Sequence, residues 1–299
     1  MRVLITNDDG IDAPGLRALA RAAAEAGHEV TVAAPHREAS GSGAALNAVT
    51  ASGRLVLSRV ELDGGPAFAA AGQAFSVAAS PAYIAVLAAL GVFGPAPDIL
   101  LSGINRGANA GHAILHSGTV GAALTAATEG LRALAVSLDV LTALPGADAL
   151  FRERDGSGGA LAREPSAGVL PREGSAGVLL RGREDGAGRE ALHWATAGEL
   201  AMDLLSWLAE APPATVLNLN VPNRPRPAVR GVRRAVPAPF GQVRMSVAEA
   251  ARDYARITVV VREETPPPDT DLALLTAGYA TLTALRPPAD DPDLDLPVD

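Results

Sequence analysis

Residues 2–6, RVLIT, form an unbroken apolar and β-branched run, the pattern of a strand buried on both faces. In the next stretch, DAPGLRALARAAAEAG (12–27), Leu16, Leu19, Ala20 and Ala23 recur at i, i+3, i+4 and i+7. That spacing predicts an amphipathic helix, with Asp12 as its N-cap, Pro14 in its first turn and Gly27 as its stop. HEVTVAAP (28–35) predicts a second strand that ends at Pro35. Strand, helix, strand in this order is a βαβ unit, which crosses over right-handed into a parallel sheet.

The alternation of apolar with short polar runs continues. Residues 54–71 alternate loosely and suggest a hairpin or edge strands. SPAYIAVLAAL (80–90) and SGTVGAALTAATEG (117–130) read as helices, the second capped by Ser117 or Thr119. DILLS (98–102), ALAVSL (133–138) and TVLNLNVP (215–222) read as strands, and LHWATAGELAMDLLSWLAEA (192–211) as a long helix. Between them, about 143–190, lies a stretch rich in Gly, Arg and Glu, with REPSAGVLP (163–171) nearly repeated as REGSAGVLL (172–180). Two nine-residue copies are too short and too polar for a solenoid, so the expectation is a mobile surface loop inserted in a core of residues 1–228. Residues 229–268 predict an extended hairpin arm and 269–286 a closing helix and strand. An acidic, frayed tail is expected over 287–299. The whole reads as an α/β protein.

Composition removes several chemistries. The chain has no cysteine, and no lysine occurs anywhere in it; its basic side chains are Arg and His. Disulfides, thiolate catalysis, Schiff-base lysines and phosphate-loop lysines are therefore excluded. Net charge is −8, and Asp290, Asp291, Asp293, Asp295 and Asp299 concentrate acid in the tail. No broad basic field exists for a nucleic-acid duplex. No apolar run reaches the roughly 20 residues of a membrane span, and the N-terminus enters a strand without a leader, so a cytoplasmic protein is expected.

In parallel sheets, sites form beyond the carboxyl ends of the strands. The first strand delivers Asn7, Asp8, Asp9 and Gly10 there. The second delivers PHREASGSG (35–43), the DILLS strand delivers GINRGANAG (103–111), and HSGTVG (116–121) opens a helix. Adjacent carboxylates repel and cannot be buried unpaired, so a positive partner is expected. Carboxylate oxygens from Asp8 and Asp9, a hydroxyl from Ser40 and an amide oxygen from Asn105 form an oxygen-only set, suited to Mg²⁺ or Mn²⁺. The SGT amides at a helix N-terminus form a phosphate cradle. A divalent ion beside such a cradle points to metal-assisted phosphoryl hydrolysis, with Asp8 or Asp9 as proton acceptor.

Taken together, ITNDDGIDAPG, SGSG, SGINRGAN, SGTVGAA, LNLNVP and DTDLALLTAGYATLTAL resemble the survival protein SurE family of nucleotidases. The resemblance covers residues 1–142 and 192–286. It implies a Rossmann-like three-layer fold with a hairpin arm used in oligomerisation, to a dimer or tetramer. It implies a phosphomonoesterase acting on nucleoside 5′- or 3′-monophosphates or another small phosphomonoester, with one divalent ion per subunit. Metal ligation falls on Asp8, Asp9, Ser40 and Asn105, and phosphate contacts on Asn109, Ser117, Gly118 and Thr119. His36, Ser42 and Arg106 are the candidates for the substrate pocket. Two features depart from the family pattern. GQAFSVAAS (72–80) lacks the usual Thr-Pro and Asp-Cys, and His36 stands where Asp is common. Two other classes compete. MRVLI…GHEVTVAAP also opens nucleotide-sugar glycosyltransferases, against which NDDG is not Gly-rich. A phosphate-ligand binder without turnover is the third.

Overall fold

The computed structural model describes residues 1–141, 191–250, 255–262 and 264–288. The expected insertion at 143–190, with its duplicated segment, lies outside the described residues, as does the tail beyond 288.

A mostly parallel nine-stranded sheet organises the fold. Its parallel centre holds β1 (Arg2–Thr6), β2 (Glu29–Pro35), β6 (Gln73–Val77), β7 (Ile99–Arg106), β8 (Arg132–Asp139) and β9 (Val216–Pro222), in the order β9-β8-β7-β1-β2-β6. At one edge β5 (Leu57–Arg59) pairs antiparallel with β6. At the other, β13 (Ala280–Leu285) runs antiparallel to β9 and carries the short β10 (Val232–Arg234). A two-residue pair, β3 (Thr50–Ala51) with β4 (Arg54–Leu55), stands apart.

Side-chain alternation along the central strands feeds two cores. Val3, Ile5, Val32, Leu101 and Val136 point to one face. There they bury Leu16 and Leu19 of α1 (Pro14–Glu25) and Leu200, Leu205 and Leu208 of α5 (Trp194–Glu210). Leu4, Ala33, Leu100 and Ala135 point to the other face. It is covered by α3 (Pro81–Ala89) and α4 (Gly118–Thr128) through Ile84, Ala85, Ala88, Val120, Ala123 and Ala126. That second layer is dominated by alanine, whose small side chain lets helix and sheet backbones approach closely. No described helix is long and apolar enough to cross a membrane.

The structure corrects the sequence reading in four places. Ala13, not Asp12, is the N-cap of α1, without a side-chain hydrogen bond; Asp12 is exposed. Residues 54–71 are not all strand: Gly65–Ala71 is a helix, α2, with Pro66 in its first turn and Phe68 buried. GQAFSVAAS supplies β6, a strand the alternation did not announce. The DILLS strand runs on to Arg106 through a bulge between Ser102 and Asn105. Gly103 permits this with φ +140°, where a Cβ would lie 2.2 Å from the Val136 carbonyl oxygen.

Beyond β9 the chain returns twice. β11 (Val243–Ala250) and β12 (Ala255–Val261) form an antiparallel two-stranded sheet, with Met245, Val247 and Ile257 exposed. This is shorter than the 229–268 assigned to an arm, because β10 belongs to the main sheet. α6 (Asp271–Thr276) then begins with a buried carboxylate. Asp271 accepts from the backbone amides of Gly111 (2.8 Å), Ala238 (2.8 Å) and Leu272 (2.9 Å), and so clamps three separate stretches of chain. A second tie joins the ends of β8 and β9. Asn223 N donates to the Asp139 carbonyl (3.1 Å), Leu141 N to Asp139 Oδ1 (3.1 Å), and His193 N to Asn223 Oδ1 (2.9 Å).

Asp271→Ala leaves those amides without their acceptor and should lower unfolding stability by about 3 kcal/mol, read from urea denaturation. Asp271→Asn keeps one oxygen and should cost about half as much; an alanine variant as stable as the parent would contradict the clamp.

Candidate active site

The strand order places β1 between β7 and β2. From β1 the chain moves outward through β2 and β6, then returns to β7 on the opposite side. The reversal point lies between the carboxyl ends of β1 and β7, where open α/β sheets leave a crevice. β1 delivers Asn7, Asp8 and Asp9 there, and β7 delivers Asn105 and Arg106.

Asn7 builds the turn that presents the acids. Its side chain accepts from Gly10 N (3.2 Å) and donates to the Gly10 carbonyl (3.0 Å), an Asx turn at zero exposure. The reading of NDDG as a turn and the reading as a site therefore both hold. Asp8 points at the start of α4. Thr119 Oγ1 donates to Asp8 Oδ1 at 2.5 Å, and the amides of Gly118 and Thr119 face the same carboxylate. Ser117 caps the helix by accepting from Val120 N (3.0 Å), which settles the choice between Ser117 and Thr119 as the cap. A Cβ on Gly118 would fall 2.8 Å from Asp8 Oδ2 and 2.8 Å from Ser42 Oγ, so only glycine fits. Asp9 faces β7, where Arg106 N donates to its Oδ2 at a long 3.4 Å. Asp8 is thus turned toward the α4 N-terminus and Asp9 toward Arg106 rather than splayed into solvent.

The electrostatics are unbalanced. Asp8 is 4% exposed, and burial raises its pKa against the opposing pull of Thr119 and the helix amides. Asp9 is pushed up to about 7, first by burial, next by the charge of Asp8, and further by Glu38. The Arg106 amide and guanidinium offset this only in part. A pair that resists ionisation this strongly calls for a cation. Among the described residues, no group of three or more His, Cys, Asp or Glu side chains could hold one. The donors on hand are two carboxylates and neutral oxygens, a set that suits a hard ion completing its shell with water.

The remaining sequence candidates fall as follows. Ser40 donates to Glu38 Oε1 (2.9 Å), and Ala39 N donates to the Asp8 carbonyl (2.7 Å), so this loop lies along the acid pair. Ser42 Oγ is buried without a hydrogen-bond partner, close to Gly118 where Asp8 also packs. Asn105 Nδ2 donates to the Gly107 carbonyl (2.8 Å), which commits its amide nitrogen and not its oxygen. His36 is exposed at the end of β2, its amide donating to the Val77 carbonyl. Asn109 is buried in a web of amides. Its Nδ2 donates to Ser137 Oγ (2.8 Å), its N donates to Asn220 Oδ1 (2.7 Å), and its carbonyl accepts from Asn218 (2.8 Å) and Asn220 (3.1 Å). Sequence reasoning quoted LNLNVP without giving Asn218 and Asn220 a task. Their i, i+2 spacing on a buried strand was the available signal, since it puts two polar side chains on one face. Asp271 and Glu38 were likewise passed over.

Compared with known proteins, residues 3–242 match the family model described as "Survival protein SurE". A 5′-nucleotidase SurE of Nitratidesulfovibrio vulgaris (strain Miyazaki F) is 38% identical over 291 residues, 96% of this chain and 87% of the relative. One from Stenotrophomonas maltophilia K279a is 31% identical over 291 residues, 96% and 90% of the two chains. The crystal structure of the SurE protein from Aquifex aeolicus superposes with TM-score 0.65 at 23% identity, covering 97% of this chain and 95% of that one. This last likeness concerns the fold.

The raised Asp9 pKa fixes a sign. With about 7 in the folded state against an ordinary 3.8, the chelator-treated protein binds more protons folded than unfolded across that window. Its stability should therefore fall as pH rises from about 4 to 7. Thermal midpoints in chelator should be higher near pH 5 than near pH 7.5, and Asp9→Asn should flatten the profile. A parent profile as flat as the variant's would contradict the assignment.

Proposed function

The chain belongs to the survival protein SurE family, and on that premise we propose that it hydrolyses nucleoside 5′- or 3′-monophosphates to nucleoside and phosphate. The single observation that carries this reading is the contact of Asp8, next to the raised Asp9, with the α4 N-terminus, because it joins a cation-demanding pair to a helix end that favours anions.

Asp8, Asp9, Ser40 and Asn105 would hold one divalent ion per subunit, Mg²⁺ or Mn²⁺. The oxygen-only donors, the unpartnered Ser42 hydroxyl and the glycine-floored space at Gly118 support that fit. When bound, the ion would neutralise the acid pair, polarise a phosphoryl oxygen and acidify a water. The protein's own groups divide the remaining work. Ser117 occupies the Val120 amide and Asp8 takes the Gly118 and Thr119 amides, so the α4 N-terminus would favour a phosphoryl group through its positive dipole end. Asp8 is locked by the Thr119 hydroxyl and those amides, so it serves as a fixed anchor. Asp9 has one long hydrogen bond and is only partly buried, so it is the freer group to take a proton from the attacking water. Asn109 is tied to β9 through its backbone amide and carbonyl and so holds the loop that leads from β7 to α4. Arg106 supplies positive charge beside Asp9 in a chain without lysine. Self-association runs through the β11–β12 hairpin, whose Met245, Val247 and Ile257 are exposed.

Phosphate release should be seen from nucleoside monophosphates with Mg²⁺ or Mn²⁺ and should vanish with chelator. Asp9→Asn should lose about 10²-fold or more in kcat with an unchanged circular dichroism spectrum. Turnover that survives chelation, or an Asp9→Asn enzyme as fast as the parent, would overturn the reading.

A further inference from the structure

The mouth of the site carries an apolar rim that the chemistry above does not use. It is built from residues 44–49 and the 3₁₀ turn Gly111–His116, which feeds directly into Ser117. Leu115 on that turn is 76% exposed, and Leu46 and Val49 are 57% and 63% exposed. These side chains stand on fixed backbone. Ser80 Oγ donates to the Ala45 carbonyl and accepts from Asn47 N (3.1 Å), and Val49 N donates to the Ala78 carbonyl (2.7 Å). Gly43 abuts the Leu115 carbonyl, and its own carbonyl presses on Gly121 of α4. Ile114 packs into the core beneath, and its carbonyl accepts from Ser117 N (3.4 Å). The backbone that carries Leu115 is therefore fixed beside the start of α4.

We infer that this rim receives the base of the nucleotide, with Leu115 as its apolar contact. The inference rests on the nucleotidase reading and adds a specificity-determining residue to it. The geometry runs outward from the phosphate. Asp8 takes the Gly118 and Thr119 amides, so a phosphoryl group bound beside the α4 N-terminus has Asp8 and the sheet behind it. Its ester oxygen must leave on the open side. Leu115 is two residues upstream of Ser117, at most about 7 Å of chain away. The half of a nucleotide that extends past a phosphate in this position is the sugar and then the base. A base offers a flat face that removes exposed leucine from water, and a bare sugar does not. Ser80, which pins the 45–47 backbone of the rim, lies in the 72–80 stretch that departs from the family pattern. That places the departure at the leaving-group side of the site rather than at the acid pair.

The test compares adenosine 5′-monophosphate with ribose 5-phosphate in the Mn²⁺-loaded enzyme, for the parent, Leu115→Ser and Leu115→Phe. Leu115→Ser should lower the ratio of kcat/KM for the nucleotide over the sugar phosphate about 5- to 10-fold, through the nucleotide KM and with little change in kcat. Leu115→Phe should restore or raise the ratio, because a ring offers more area to a base. A ratio indifferent to residue 115, in an enzyme that does cleave nucleotides, would overturn the inference and leave the nucleotidase reading standing. A parent that cleaves ribose 5-phosphate but no nucleotide would overturn both. The side chain is exposed, so loss of folding does not confound the serine variant.

Discussion

The repulsion between two neighbouring carboxylates governs this molecule. Asp8 and Asp9 lie where the parallel strand order turns back across β1 to β7, and burial makes their charge costly. Two elements answer that cost, while Glu38 adds to it. Thr119 donates a hydroxyl, α4 turns its first amides toward Asp8, and Arg106 lends an amide and a guanidinium to Asp9. These donors are not enough to return Asp9 to an ordinary carboxylate range. The deficit is what makes the crevice a place for a cation and for the anion a cation attracts.

Much of the scaffold was legible because the apolar spacing is strong where both faces of the sheet are covered. β1, α1, β2, α3, α4 and β9 stand close to where periodicity and capping residues put them. The misreadings share a cause: local choices that tertiary contacts decided. Asp12 is a good cap by type, but the turn made by Asn7 and Gly10 already fixes the chain entering α1. Residues 65–71 read as part of a strand region until Phe68 is seen packed beneath the sheet, where alanines around it favour helix. β7 runs past its apolar run because Gly103 supports a bulge that no pattern of hydrophobicity encodes.

The site was legible in its chemistry and less so in its architecture. Asp8, Asp9, Ser117, Gly118 and Thr119 could be nominated because acidic and cap residues at strand and helix ends are visible in one dimension. Ser42 could be named only loosely, since its significance lies in a missing partner. Asn218, Asn220 and Asp271 act at a distance of more than a hundred residues, by holding the backbone of 109–111. Such long-range ties are invisible to spacing. They nonetheless set the loop that links β7 to α4, and with it the angle at which the helix amides meet the acids.

The junction at Asp139, Asn223, Leu141 and His193 has a consequence for how this chain can vary. The segment that leaves after Leu141 and returns before His193 departs from and re-enters one hydrogen-bonded knot. Its ends are therefore fixed together whatever lies between them. Closing a longer loop costs only about 0.6 kcal/mol per doubling of length. Growth or shrinkage at this point is thermodynamically cheap. The knot gives evolution a socket into which a near-duplicated insert can be spliced while both of its ends stay tied to β8 and β9.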